Sequence, residues 1–146
     1  MTENVIISIK GQQLYDERDP DVMELVTEGI LEADPEGGYK LSYQESELTG
    51  LEGTQTVFRV RDKQVTLTRE GNVNSMMVFE EGVRHFSMYE TPFGALSIGI
   101  NTRRMRANLD PDGGEIEIDY AIEVDHAVTG QNLFQIKVKK TPKIKQ

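Results

Sequence analysis

At 146 residues, with 37% hydrophobic and 28% charged side chains, the chain has the size and apolar content of one ordinary globular domain and lies outside the low-hydrophobicity, high-charge range of disorder. It contains no cysteine, which excludes disulfides, thiolate zinc sites, a cysteine nucleophile and redox chemistry by its own thiols. A formal net charge of −9 opposes long-range attraction to phosphate backbones and anionic membranes, because both are bound through Lys and Arg, so neither nucleic acid nor a membrane is expected as a partner.

Met1 to Lys10 carry no basic leader, and the short apolar group Val5, Ile6, Ile7 and Ile9 fits neither a secretion signal nor a membrane span. A cytoplasmic protein is the expectation. Carboxylates then dominate from Asp16 to Glu52, the pattern of a solvated face. Within that stretch residues 22 to 31 fit two templates. Val22, Leu25, Val26, Ile30 and Ala33 lie on a helical stripe, with Asp19-Pro20 as cap and first turn. Met23, Leu25, Thr27, Gly29 and Leu31 also alternate with Glu24, Val26, Glu28, Ile30 and Glu32 as in a strand, and Thr27 with Gly29 weakens a helix. The pattern alone leaves both readings open.

After Gly38 a period of two recurs almost everywhere, the signal of strands with one buried face. Tyr39, Leu41 and Tyr43 form the first such run, Thr56, Phe58 and Val60 the next, then Val65 and Leu67. The alternation resumes in Leu96, Ile98 and Ile100 and in Ile116, Ile118, Tyr120, Ile122 and Val124, and closes with Phe134, Ile136 and Val138 in a last strand of flipped parity. Two turns are near copies, Asp34-Pro35-Glu36-Gly37-Gly38 and Asp110-Pro111-Asp112-Gly113-Gly114. Pro presets φ at the first turn position and Gly supplies a positive φ for return to a strand, so both read as hairpin ends. Strands at this spacing, joined by links too short for a crossover helix, predict a single all-β domain over 1–146. The expected architecture is an antiparallel up-and-down barrel of about eight to ten strands, with a tail fraying from about residue 141.

The run Tyr89-Glu90-Thr91-Pro92-Phe93-Gly94-Ala95-Leu96, preceded in order by Leu41-Ser42-Tyr43, the Thr54 region and Arg69-Glu70-Gly71, resembles the YwiB-like family of uncharacterised small bacterial β-barrel proteins. The resemblance extends from about Val5 to Lys139. It implies a calycin-like barrel and a strand over Val22 to Leu31, and it implies no activity and no catalytic residue.

In a meander, successive turns alternate between the two ends of the barrel, which assigns Tyr43, Glu45, Thr54, Arg69, Tyr89, Thr91 and Phe93 to one rim. Arg69 shares the parity of Val65 and Leu67, so its guanidinium is expected to point inward. A buried Arg needs a partner, and Glu45, with the parity of Tyr43, offers a bidentate ion pair as the purely structural reading. The functional reading is that Arg69 meets a carboxylate or phosphate of a small ligand while Tyr43, Tyr89 and Phe93 pack around its apolar part. The tyrosines also suit ordinary rim positions, and Met76, Met77 and Met88 suit gap filling in a core.

Other chemistry is weaker. Asn108, Asp110, Asp112, Gly113 and Asp119 nearly match a calcium loop, but a strand advancing roughly 3.3 Å per residue carries Asp119 on the order of 20 Å from Gly113. A hairpin is expected instead. His85 and His126 sit in no ligand spacing and there is no nucleophile elbow. Lack of Trp argues against a glycosidase dyad. Arg103, Arg104 and Arg106 form a positive cluster without interleaved aromatics, which reads as a solvated strand end rather than an RNA contact. No catalytic residue, metal or cofactor is assigned. The leading expectation is a binding barrel for a small anionic or amphipathic ligand. The alternative is a protein-interaction or assembly module with a filled core, acting through its acidic face or a sheet edge.

Overall fold

Consecutive strands that are each apolar on alternate residues bury those residues only by sharing one interior, and hydrogen-bonding side by side lets them do so. The computed structural model describes residues 2–14, 21–46, 52–72, 74–91, 93–124 and 127–141. Among them ten strands follow in order: β1 (Thr2–Leu14), β2 (Asp21–Ala33), β3 (Tyr39–Gln44), β4 (Thr54–Val60), β5 (Val65–Gly71), β6 (Ser75–Phe79), β7 (Arg84–Thr91), β8 (Gly94–Asp110), β9 (Gly113–Val124) and β10 (Ala127–Lys140). All ladders are antiparallel. The sheet order is β6-β5-β4-β3-β2-β1-β10-β9-β8-β7, an up-and-down meander whose first and last strands pair from Val5↔Lys140 to Leu14↔Gln131. The ring is nearly closed. β6 and β7 lie against each other, but among the described residues no ladder joins them.

Residues 22 to 31 form a strand and not a helix. Gly29 shows why: a Cβ there would run into the Ile7 side chain and sit 2.6 Å from the Ser42 carbonyl oxygen, so β1 and β3 close on this position as only glycine permits. The two similar turns are built alike. Asp34 Oδ1 accepts the Glu36 N–H at 3.0 Å and Asp110 Oδ1 accepts the Asp112 N–H at 2.8 Å, the local carboxylate-to-backbone bond that favours Asp at a turn. The second turn links the paired strands β8 and β9 as a hairpin, and Asp119 is engaged by Arg103 at 2.9 Å.

The interior is layered. Cross-strand register aligns Tyr39, Val60, Val65 and Phe79 in one inward row over β3 to β6, and Leu41, Phe58, Leu67 and Met77 in the row above. Opposite them, Ile9, Ile136, Ile116 and Ala107 form a row over β1, β10, β9 and β8, with Phe134 and Ile118 above. Phe58 is fully buried and stacks between Tyr43 and Phe134, at centroid distances of 6.5 and 6.0 Å, so one aromatic line crosses the barrel.

Candidate functional site

Above the apolar rows the inward side chains turn polar. Tyr43, Thr56, Arg69 and Ser75 are register partners across β3, β4, β5 and β6, each roughly 4.8 Å from the next strand. β3 ends at Gln44, and the Glu45 N–H donates to the Thr54 carbonyl at 2.8 Å, which holds the next inward residue at the barrel mouth. The Glu45 side chain lies inside at 8% exposure and accepts the Thr56 hydroxyl at 2.9 Å. Tyr43, 6% exposed, also hydrogen-bonds to Glu45. Burial first, and then the Glu45 charge and hydrogen bond, push the Tyr43 hydroxyl well above the usual tyrosine range, against the opposing pull of Arg69 and Thr56.

A consequence is alkaline lability. Tyrosine in the unfolded chain ionises near about pH 10, whereas folded Tyr43 keeps its proton. The native state therefore binds the extra proton, and the stability this represents is complete below about pH 10 and falls above it by roughly 1.4 kcal/mol per pH unit. Urea titrations between neutral pH and pH 11 should show this fall, and Tyr43→Phe should flatten it; an unchanged slope would refute the assignment.

Arg69 points inward as its parity requires, yet it is not paired as expected. Among the described residues, no ion pair within 4.0 Å joins it to Glu45, because that carboxylate is bonded by Thr56 and Tyr43. Arg69 Nε is buried without a hydrogen-bond partner, and so is Ser75 Oγ beside it. Buried donors are rarely left unmet, so these two mark the place where the interior has capacity to spare.

A second polar row crowns the opposite wall, where Gln13, Asn132, Tyr120 and Thr102 are partners across β1, β10, β9 and β8. Tyr120 meets Phe79 edge-on at 4.9 Å; burial raises its hydroxyl above the ordinary value, opposed by the charge of Arg69. Next to this row is an open depression of about 280 Å³ lined by Gly11, Met23, Tyr120, Asn132 and Phe134 among others. Tyr120 thus belongs both to the field of Arg69 and to the wall of the depression.

Of the residues assigned from sequence, Tyr43, Glu45, Thr54 and Arg69 lie on neighbouring strands at one mouth, with Thr54 fully buried. Phe93 does not pack there. It is 99% exposed and lies between Thr91 and Gly94, the last register pair of β7 and β8. The side chains of Tyr89 and Thr91 lie outside the described residues. Ser75, Tyr120 and Asn132 were not assigned from sequence; the available signal was the inward parity of Tyr120 with Ile118. Among the described residues no group of three or more His, Asp or Glu is placed to hold a metal ion.

Comparison with known proteins places these features in context. Residues 7–136 match the family model described as a domain of unknown function, DUF1934. The chain is 27% identical over 111 residues to the uncharacterized beta-barrel protein YwiB of Bacillus subtilis (strain 168), covering 76% of each sequence. The crystal structure of the ywiB protein from Bacillus subtilis superposes with a TM-score of 0.82 at 23% identity, over 97% of this chain and 94% of that one. It has the same fold.

Proposed function

The chain belongs to the DUF1934 family of domains of unknown function, and from that premise we propose that it is a cytoplasmic binding barrel that holds a small anionic or amphipathic ligand at the mouth around Arg69, Tyr43 and Glu45. The buried and unmet Nε–H of Arg69 carries this reading. Arg is a donor only and stays charged, so what completes it is an acceptor, best an anion. The depression lined by Gly11, Met23, Tyr120 and Phe134 offers the apolar half of an amphipathic site.

Native mass spectrometry of protein purified from cells, with a thermal-shift screen of fatty acids and phosphorylated metabolites, tests it. A ligand at a hundredfold excess over its Kd stabilises by about 2.7 kcal/mol, a Tm rise of roughly 8 °C for a domain of this size. Arg69→Ala should abolish the rise. If nothing co-purifies and no compound moves the melt, the reading fails.

A second reading, an assembly module, draws on the outer face of β2. Val22, Val26 and Ile30 are exposed there, Val26 to 68%, and alternate with Glu24, Glu28 and Glu32. Reversing those three charges should release a protein captured by pull-down; retention of the same partner argues against this face.

A further inference from the structure

Four features of the mouth narrow the ligand class. Two buried donors are unmet, Arg69 Nε and Ser75 Oγ, and they are direct register partners on β5 and β6. Two donors side by side match the two oxygens of a carboxylate. The third feature is Glu45, buried in the adjoining part of the same mouth and joined to Thr56 in the same row; its negative charge penalises a dianion more than a monoanion in a medium that screens poorly. The fourth is the apolar ground of the depression beside Gly11 and Met23, whose wall includes Tyr120 and Phe134.

Resting on the mouth as the binding site, we propose that the ligand is an amphipathic monocarboxylate. Its carboxylate is held by Arg69 and Ser75, and its hydrocarbon body runs past Tyr120 into the depression, with its far end against Phe134 and Met23.

Gly11 gives an independent handle on the far end. A Cβ at this position would stand 3.7 Å from Met23 Cε and 3.7 Å from Phe134 Cδ2, ordinary contact distances. Gly11→Val therefore adds bulk at the depression from a position where the Cβ itself meets only ordinary contacts.

The experiment is titration calorimetry of the full chain with sodium decanoate, decyl phosphate and decanol, each kept below micelle formation. Decanoate is expected to bind at least about tenfold more tightly than the other two, the worth of one hydrogen bond to a charged group. Arg69→Met and Ser75→Ala should each weaken decanoate, and Gly11→Val should weaken decanoate more than hexanoate. Ser75→Ala keeps the test decisive if Arg69→Met fails to fold. Decyl phosphate binding as tightly as decanoate, and dependent on Arg69, overturns the carboxylate and leaves the mouth in place. Decanoate binding that ignores both Arg69→Met and Ser75→Ala overturns the placement of the headgroup. Absence of binding by all three amphiphiles overturns this inference, while the thermal-shift screen decides the broader reading separately.

Discussion

Phe58→Ala is expected to lower the free energy of unfolding by about 3–5 kcal/mol, the range for deleting a buried aromatic ring from a packed core. The side chain has no solvent exposure. It fills the middle of the row Leu41, Phe58, Leu67 and Met77 and touches rings on both walls, so few neighbours are free to collapse into the space. Against a total stability of roughly 5–15 kcal/mol, a loss of this size moves the urea midpoint strongly while leaving the slope of the transition unchanged. Because the same ring is the floor beneath the polar rows, the variant should also lose any ligand-induced rise in Tm. A cost below about 1 kcal/mol would mean that the interior is loosely packed and that the layered description is wrong.

Gly29→Val should destabilise by about 3 kcal/mol, the upper part of the range for overpacking. The added carbon atoms meet the Ile7 side chain and the Ser42 carbonyl oxygen. Ile7 can rotate only at the expense of its own full burial, and the carbonyl is backbone, so β2 must move away from β3 at the ladder that begins with Ile30↔Ser42. The expected signature is a lower denaturation midpoint together with faster hydrogen exchange at the Ile30 to Ala33 amides. Full retention of both would show that the close approach at Gly29 is dispensable.

That glycine also marks the boundary of what could be read from residues alone. Alternation from Tyr39 onward was legible because period two survives any choice of partners, and it was enough to turn Arg69 inward beside Val65 and Leu67. Residues 22 to 31 were ambiguous because an outer face of Val22, Val26 and Ile30 mimics a helical stripe; the decisive contact, Gly29 against Ile7 and Ser42, exists only after three strands have been laid side by side. The same reason hid Ser75 and Tyr120. Their membership of the mouth depends on register between strands and on the pairing of β1 with β10, neither of which is a local property. The Glu45 partner was misjudged for a related reason. Parity placed it at the right end of the barrel, but the hydroxyls of Thr56 and Tyr43 reach its carboxylate, and Arg69 is left to look elsewhere.

The pairing of first and last strands also governs how the barrel comes into being. Val5 is joined to Lys140 and Leu14 to Gln131, contacts of the greatest sequence separation in the fold, and the entropy of closing so long a loop must be met before any of them forms. Hairpins along the chain can assemble while a ribosome is still at work, but Ile7 and Ile9 remain without one of their two walls until Ile136 and Val138 have been synthesised. Completion of the core is therefore a late and comparatively slow event, and a chain whose β10 has not yet joined β1 is the species most prone to associate with its neighbours.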